Sequence, residues 1–441
     1  MKFFGNDVLL STSAARKLYR HVKRLPIIDY HCHLSQGAIA EDLPLTDVGE
    51  VWLSADHYKW RAMRLCGVDE RYITGDAPYR QKFLKYAEIL PKLVGNPLYD
   101  WTHLELKTVF GIRTPLCPQT AERVYAAANQ ALKGKTVRSL LRQFDVRYLA
   151  TTDDPVDDLS QHGTYGNTVV APTFRPDKAL ALDEGYLARL SASSGEQTDT
   201  LCGWKRAMQN RLDYFAKRGC KISDHGFYGF PSAIADEDTA SALYENRSRL
   251  STAQKDALTG HLLLWLSGQY AKRDMLMQLH FAVLRNCNPT AHQEIGVDAG
   301  FDLPADSPSV ENAVRFFAAM PKGEQPRTVI YALNDANLDA FCALTGAFPF
   351  VKVGAAWWFN DTMQGNLRMI ETVAQYSALG TSLGMLTDSR SFTSYVRFDY
   401  FRRLLCRYLG EKVKTGVYTL QQAKSLAADI SYYNVKSALG L

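Results

Sequence analysis

Two histidines near the amino terminus, His31 and His33, are separated by one residue at the end of an apolar run. On a β-strand, residues spaced by two point to the same face, so both imidazoles can converge on one point. Two neutral imidazoles arranged in this way form half of a site for a divalent ion, usually zinc or a similar metal. Asp388, near the other end of the chain, is the candidate third ligand. The alternative is a histidine pair in a turn with ordinary hydrogen bonds.

Polar residues also follow other apolar, β-branched runs. Arg175, the pair Asp224-His225 and His280 each stand where a predicted strand ends. His280 could be a fourth metal ligand, a base near a substrate, or a histidine satisfied within the core. Asp224-His225 could be a structural hydrogen-bonded pair, although its place at a strand end favours a site. Each feature alone is consistent with a solvated loop, and their shared placement at strand ends is what predicts a site.

The segments that must position these residues alternate between strand and helix patterns. Eight strand candidates can be identified: Pro26–His31, Val146–Thr151, Thr168–Phe174, Cys220–Asp224, Met277–Ala282, Arg327–Leu333, Phe350–Trp357 and Leu383–Asp388. Helical patterns separate most of them: Gly203–Arg218, Ser251–Lys272, Ser309–Met320, Asn366–Ala378 and Ser394–Leu409. Such alternation predicts an α/β fold, a (β/α)8 barrel of the TIM type, whose chemistry lies at the carboxyl ends of its strands. No Gly-x-Gly-x-x-Gly or Walker loop follows a predicted strand, which disfavours a nucleotide-binding sheet.

The connection between the first two predicted strands is much longer than a barrel crossover requires. It is rich in helical patterns and in aromatic residues such as Trp52, Trp60 and Trp101. We expect one barrel domain over residues 1–441, with residues 37–140 forming a helical insertion over the mouth of the barrel.

Composition excludes several classes of protein. Hydrophobic residues make up 46% and charged residues 22% of the 441 residues, which is ordinary for a globular protein. The 51 basic and 46 acidic residues give a net charge of +5, too small and too dispersed to predict nucleic-acid binding. Apolar runs are too short to span a membrane. The eight cysteines include no Cys-x-x-Cys pair, so we expect reduced thiols in a cytoplasmic enzyme.

Several motifs, taken together, resemble those of the uronate isomerases, a branch of the metal-dependent amidohydrolase superfamily. They extend over nearly the whole chain: His31-Cys32-His33, Asp56-His57-Tyr58-Lys59-Trp60-Arg61, Asp100-Trp101-Thr102-His103, Ser223-Asp224-His225, Gln278-Leu279-His280, Trp357-Trp358-Phe359-Asn360-Asp361 and Thr387-Asp388-Ser389-Arg390. The resemblance implies a distorted (β/α)8 barrel, which the strand count predicts independently.

The resemblance also implies roles for individual residues. His31, His33 and Asp388 match the family's metal ligands, and His57 and Tyr58 match residues that reach the substrate from the inserted segment. The positions that match contacts to the sugar are Arg175, Asp224, Arg285, Trp358 and Arg390, to which we add His280. No lysine is placed to bridge two ions, because Lys221 lies too early in its strand, so one divalent ion, Zn²⁺, is expected.

The implied reaction is an aldose–ketose isomerisation by an intramolecular oxidoreductase. D-Glucuronate becomes D-fructuronate and D-galacturonate becomes D-tagaturonate, by proton transfer through a cis-enediol. We expect Asp388 to take the proton of the ring hydroxyl, Tyr58 to shuttle the proton and His57 to orient Tyr58 or donate to an oxygen. Arginine suits a uronate because its planar guanidinium pairs with a carboxylate through two parallel hydrogen bonds.

Two competing interpretations remain open at this point. One is a metal-dependent hydrolase of an amide, lactone or ester, whose activated water would use an open metal position. The other is a non-catalytic carbohydrate-binding protein built on a decayed barrel. Apart from the sugar acid, we expect no nucleic-acid or membrane partner, and we expect the chain to form a homo-oligomer.

Overall fold

The computed structural model describes residues 3–306 and 308–441. The strands within these residues are β1 (Ile27–Asp29), β2 (Val146–Ala150), β3 (Gly163–Tyr165), β4 (Thr168–Ala171), β5 (Ile222–Phe227), β6 (Leu276–Phe281), β7 (Val283–Leu284), β8 (Leu303–Pro304), β9 (Thr328–Ala332) and β10 (Val351–Val353). Seven of the eight strand predictions thus correspond to a strand. The short strands β3, β7 and β8 were not predicted.

Helices fill most of the remaining chain. In the first half they are α1 (Ser13–Val22), α2 (Gln36–Ala40), α3 (Val48–Leu53), α4 (His57–Leu65), α5 (Tyr79–Ile89), α6 (Pro97–Thr108), α7 (Ala121–Leu132), α8 (Val137–Gln143), α9 (Asp177–Leu180), α10 (Glu184–Ser194) and α11 (Leu201–Lys217). In the second half they are α12 (Glu237–Glu245), α13 (Thr252–Lys272), α14 (Pro289–Ile295), α15 (Val310–Ala318), α16 (Leu338–Ala347), α17 (Met363–Tyr376), α18 (Val396–Lys414), α19 (Leu420–Ala428) and α20 (Asn434–Ala438).

The main strands run parallel to one another in two linked sheets. In the first sheet the order is β1-β2-β4-β3, in which only β3 is antiparallel to its neighbour, and in the second the order is β10-β9-β6-β5. Phe174 links the two sheets, because its N–H donates to the Ile222 carbonyl at 3.0 Å and its carbonyl accepts from the Asp224 N–H at 3.0 Å. Helices separate most successive parallel strands, whereas β2 and β4 are joined through turns and the short strand β3.

The eighth strand prediction, Leu383–Asp388, is wrong: this segment forms no strand in the part of the chain that the structure describes. Two residues explain why, since Gly384 and Asp388 have φ angles of 70° and 48°, which an extended strand does not allow. A Cβ atom at Gly384 would lie 2.1 Å from the carbonyl oxygen of Ile430, so only glycine fits there. The irregular segment nevertheless lies beside the end of β1, because the Asp388 N–H donates to the His31 carbonyl at 3.0 Å.

Separate apolar clusters support the strands and the helices that join β1 to β2. Inward-facing residues of several strands pack together in the centre: Ile28, Tyr30, Tyr148, Ala150, Ile222, Leu276, Val329 and Tyr331. Helices α3 to α7 bury a second cluster, which includes Trp52, Phe83 and Trp101 and continues onto Tyr400 and Leu404 of α18. Helix α18 therefore packs under the segment that carries His57 and Tyr58. Across the described residues, no helix has the length and apolar character needed to cross a membrane.

Candidate active site

The predicted metal ligands meet at the end of β1. His31 and His33 follow this strand, and each Nε2 atom lies 3.3 Å from Oδ1 of Asp388. The candidate ligand atoms of the three residues lie within 4.8 Å of one another. The His33 N–H donates to the Ser389 carbonyl at 2.9 Å, so backbone hydrogen bonds hold the two ends of the chain together here. The structure thus brings together residues that stand far apart in the sequence.

The donor set fits a single divalent cation. The side chain of His31 is completely buried, and neither of its ring nitrogens has a hydrogen-bond partner among residues 3–306 and 308–441. A buried polar atom without a partner is costly, and a bound cation would satisfy it. In the same described residues, no second cluster of histidine, cysteine and acidic side chains has this spacing. Two imidazoles and a carboxylate suit zinc and related ions.

A buried carboxylate fixes the unusual backbone at Asp388. The N–H and hydroxyl of Thr387 donate to the two carboxylate oxygens of Asp29, at 2.9 Å and 2.6 Å. Asp29 is fully buried, and this burial raises the pKa of its carboxyl to about 6 despite the two hydrogen bonds. These bonds tie the segment before Asp388 to β1. The left-handed conformation of Asp388 then directs its carboxylate towards the two histidines.

Asp224 on β5 organises the polar residues next to the metal ligands. Its Oδ1 atom lies 3.1 Å from Nδ1 of His280 and 3.9 Å from Nδ1 of His31, and its Oδ2 atom lies 3.4 Å from the Arg175 guanidinium. Burial alone would raise the pKa of Asp224, but His280, His31 and Arg175 hold it well below its usual range. Both ring nitrogens of His280 face other residues, Asp224 and Arg175, rather than the ligand cluster. The geometry therefore disfavours His280 as a fourth ligand.

Tyr58 and His57 reach the site from the first turn of α4. Asp56 caps this helix by accepting hydrogen bonds from the Tyr58 N–H at 3.0 Å and the Lys59 N–H at 3.2 Å. The Tyr58 hydroxyl donates to Oδ2 of Asp388 at 3.3 Å. Burial raises the pKa of Tyr58 well above its usual value, and the Asp388 carboxylate adds to this effect. Burial, together with the nearby Arg390, lowers the pKa of His57. Both shifts favour the neutral form of the side chain.

Each arginine proposed to contact the sugar is already paired with a carboxylate. The closest pairs, at 2.9 Å each, are Arg390–Asp298, Arg285–Asp302 and Arg175–Asp177. The Arg285 guanidinium also lies 4.9 Å from the centre of the Trp358 ring. The arrangement keeps the guanidinium groups oriented while leaving them at the edge of an open space.

That open space, which we call the mouth cavity, has a volume of about 510 Å³. The predicted site residues that line it are His33, His57, Arg175, His280, Arg285, Trp358, Asp388 and Arg390. His31 and Asp224 are completely buried and support residues of the wall through the contacts described above. Both Trp357 and Trp358 line the cavity, and Trp357 also packs against His31 with ring centres 4.5 Å apart. With charged side chains of both signs and two tryptophans in its lining, the site has the size and polarity of a pocket for a small polar molecule.

Sequence patterns alone did not identify Arg397. Its guanidinium lies 4.8 Å from the ring centre of Tyr58 and 4.0 Å from that of Trp101, and it donates to the Thr387 carbonyl at 2.7 Å. Arg397 is buried on α18, which was predicted only as an amphipathic helix. The sequence signal that could have identified Arg397 is its position between two apolar neighbours, Val396 and Phe398. Asp298 and Asp302 were also missed, because their pairing with distant arginines leaves no local pattern.

Comparison with known proteins agrees with this geometry. The family model described as glucuronate isomerase matches residues 1–439. The chain is 38% identical to the uronate isomerase of Oceanobacillus iheyensis, over 98% of this chain and 97% of that protein. It also resembles the crystal structure of a uronate isomerase from Thermotoga maritima, with a TM-score of 0.96, 33% identity and complete coverage of both chains. For a glucuronate isomerase structure from Caulobacter crescentus the TM-score is 0.94 at 24% identity, covering 99% and 97% of the two chains.

These likenesses agree with the fold class predicted from the sequence, a distorted (β/α)8 barrel, although no strand ladder closes the barrel within the described residues. The irregular segment at residues 383–388 occupies the place of the eighth strand. With a family match over nearly the whole length and relatives well above 30% identity, the chain belongs to the glucuronate isomerase family of the amidohydrolase superfamily.

Proposed function

We propose that the protein is a uronate isomerase that converts D-glucuronate to D-fructuronate and D-galacturonate to D-tagaturonate. The observation that carries the proposal is the placement of the Tyr58 hydroxyl 3.3 Å from a carboxylate oxygen of Asp388, the third member of the metal-ligand cluster. His57, Asp388 and the arginines line one cavity of about 510 Å³, and Tyr58 lines an adjoining pocket that shares His57 and Trp358 with it. Membership of the family supports the same reaction.

The arginines of the mouth cavity would bind the carboxylate of the substrate. Arg390 and Arg285 present planar guanidinium groups that can form two parallel hydrogen bonds with a carboxylate. Trp358 offers an apolar ring beside Arg285 for the face of the sugar. Arg175 and His280, both held by the buried Asp224, line the same cavity and can bind the sugar hydroxyls. This division would place the carboxylate and the reacting end of the sugar in different parts of the cavity.

His31, His33 and Asp388 would hold one divalent ion, which we propose is Zn²⁺. When bound, such an ion supplies a positive charge that stabilises negative charge developing on a substrate oxygen. Among residues 3–306 and 308–441, the one lysine that lines the mouth cavity, Lys178, pairs with Asp154 at 3.3 Å, which supports a single ion and therefore an isomerase rather than a two-metal hydrolase. Metal analysis of the purified protein should return about one ion per chain, and two ions per chain would favour the hydrolase.

The side chains can account for the proton movements. The Asp388 carboxylate is held ionised, because its contacts with His31 and His33 lower its pKa against the effect of burial, so it can accept the proton of the ring hydroxyl. In the open chain, a base removes the C2 proton, the C1–C2 double bond forms and the carbonyl oxygen gains a proton. The hydroxyl at C2 then loses its proton while C1 gains one, which yields the ketose. Tyr58, hydrogen-bonded to Asp388, would carry the proton between these positions, with His57 orienting it.

The proposal is tested by incubating the protein with D-glucuronate in heavy water and following the products by proton NMR. We expect a ketose that carries deuterium at C1 in one stereochemical position, because the proton passes through a side chain that exchanges with solvent. An unlabelled ketose would indicate a hydride shift instead. No ketose from either uronate would contradict the isomerase assignment.

Three further features belong to the same proposal. We propose that residues 37–140 form an insertion that brings His57 and Tyr58 over the mouth of the barrel. The cytoplasm is the expected compartment, since all eight cysteines are unpaired in the structure. The protein is expected to act as a homo-oligomer, which size-exclusion chromatography with light scattering would measure.

A further inference from the structure

A second cavity of nearly the same size lies at the opposite end of the strands. This basal cavity, of about 500 Å³, borders Ile27 at the start of β1 and Asp145 just before β2. The mouth cavity instead lies where the strands end. Helices α1, α6 and α18 form the other walls of the basal cavity. It shares no lining residue with the mouth cavity, and none of the roles described above involves it.

The lining of the basal cavity is strongly basic. Its cationic residues are Lys23, Arg24, Lys107, Arg402 and Arg403, against the two acidic residues Asp145 and Asp399. Both carboxylates already have partners: Asp399 pairs with Arg403 at 2.8 Å and Asp145 pairs with Arg147 at 2.6 Å. Lys107 donates to the Gly5 carbonyl at 3.0 Å. No ion pair joins Lys23, Arg24 or Arg402 to any residue in the described ranges 3–306 and 308–441.

Arg402 is the central feature of this cavity. Its side chain is almost completely buried, at 4% exposure, yet no carboxylate of the described chain lies within 4.0 Å of it. One nitrogen donates to the Pro26 carbonyl at 2.8 Å, but the buried Nε atom has no partner among the same residues. Burial lowers the pKa of this arginine to about 10, which reflects the cost of keeping the charge away from water. A buried cation normally has a counter-charge, because leaving it unpaired is strongly destabilising.

Two further cations stand at the edge of the same space. Lys23 and Arg24 are exposed at the rim of the cavity. A buried cation without a counter-charge in the interior and further cations at the rim are the features that bind a small ligand rich in acceptor oxygens.

We propose that the basal cavity binds a small anion with at least two negative charges, such as a phosphate or a dicarboxylate, separately from the catalytic site. The buried Arg402 guanidinium would contact its oxygen atoms. Lys23 and Arg24 would attract it from solvent and balance its remaining charge. A phosphate and a dicarboxylate both present a compact group of anionic oxygens, which is the chemistry that the cavity would recognise.

The binding test uses the complete protein and two probes, inorganic phosphate and succinate, measured separately by isothermal titration calorimetry. For at least one probe, Arg402→Met should weaken binding roughly tenfold or more, since it removes a charge-assisted hydrogen bond. Arg407→Met, on the same helix but outside the cavity lining, is the matched control and should bind as the unmodified protein does. Arg390→Met removes an arginine of the mouth cavity and should leave this site intact.

Thermal unfolding separates loss of binding from loss of the fold. Without added anion, Arg402→Met should unfold at the same or a higher temperature than the unmodified protein, because it removes an unpaired buried charge. The anion should raise the unfolding temperature of the unmodified protein but not of Arg402→Met. The double variant Lys23→Ala and Arg24→Ala, at exposed positions, should weaken binding severalfold. Equal affinity in Arg402→Met, loss of all binding in Arg390→Met, or no binding of either probe would overturn the proposal.

Discussion

The two cavities are alike in volume, about 510 Å³ at the mouth and about 500 Å³ at the base, but they differ in how their arginines are neutralised. At the mouth, Arg390 and Arg285 face Asp298 and Asp302 at 2.9 Å. At the base, Arg402 has no acidic partner in the described residues. A ligand carboxylate must therefore compete with protein carboxylates at the mouth, whereas an anion at the base would meet an unpaired charge.

This difference affects how selectively each cavity binds anions. The aspartates at the mouth hold each guanidinium in one orientation, so a substrate gains from a prepared geometry. The aspartates also neutralise part of the positive charge of each guanidinium, which limits the binding of anions that do not match the geometry. At the base, Asp399 pairs with Arg403 but no carboxylate of the described residues pairs with Arg402, so we expect this cavity to discriminate less between small anions of equal charge.

The largest effect is expected when a proton-transferring group of the site is removed while the charged residues stay in place. Tyr58→Phe deletes only the hydroxyl that donates to Asp388, so the buried ring should still pack and the fold should survive. The kcat for D-glucuronate should fall on the order of 10²-fold or more, as for the loss of a general acid or base. Steady-state kinetics measure the effect, with metal content and circular dichroism as controls. A normal kcat would show that Tyr58 carries no proton.

The next effect tests whether geometry, rather than charge alone, selects the substrate. Arg390→Lys keeps the charge but loses the planar fork, so its kcat/KM for D-glucuronate should fall nearly as far as that of Arg390→Ala. Losing a charge-assisted pair should lower kcat/KM by roughly tenfold to a thousandfold. Neutral D-glucose should be turned over at least about a hundredfold less efficiently than D-glucuronate by the unmodified enzyme. Comparable rates on glucose would refute the role assigned to the arginines.

A smaller effect is expected from Arg397, which acts through Tyr58 rather than on the substrate. Arg397→Met should lower kcat roughly tenfold with little change in KM, because the ring of Tyr58 loses the cation 4.8 Å away. The charge of Arg397 lowers the pKa of Tyr58, so its removal should move the basic limb of the kcat–pH profile to higher pH. Arg397→Lys should restore part of the rate. An unshifted pH profile would reduce Arg397 to a packing role.

The smallest effect is expected when a protein carboxylate that competes with the substrate for an arginine of the mouth cavity is removed. Asp298→Asn frees Arg390 from its partner, so the KM for D-glucuronate should fall roughly twofold to fivefold, a range typical of exposed ion pairs. The gain should shrink as salt is added, because salt screens such interactions. Initial rates at several ionic strengths provide the measurement. A raised KM would mean that Asp298 orients Arg390 more than it competes for it.

Local patterns predicted the strands well where each follows one regular conformation. Seven runs of β-branched and apolar residues form strands, and residues beyond their carboxyl ends, such as His33, Arg175 and Trp358, line one cavity. Leu383–Asp388 did not follow its pattern, because contacts made by Gly384 with Ile430 impose a left-handed backbone there. A strand pattern contains no information about such a long-range contact.

The candidate metal ligands were predictable from the sequence, but the ion pairs of the site were not. The spacing of His31 and His33 predicted a metal half-site, and the resemblance to the family predicted roles for Tyr58 and Arg390. Asp298 and Arg397 remained hidden, since each acts on a residue that lies far away along the chain. Helical periodicity shows which face of α18 is apolar, but not that one arginine on it lies against Tyr58.

The bonds between Asp29 and Thr387 join residues 358 positions apart, and they have a consequence for biosynthesis. During translation His31 and His33 leave the ribosome early, whereas Asp388, which completes their cluster, emerges only when most of the chain has been made. The nascent protein therefore cannot hold a metal tightly in this cluster until synthesis is nearly finished. Fragments that end before residue 387 should show no high-affinity metal binding, so metal retention can report that full-length chains have matured.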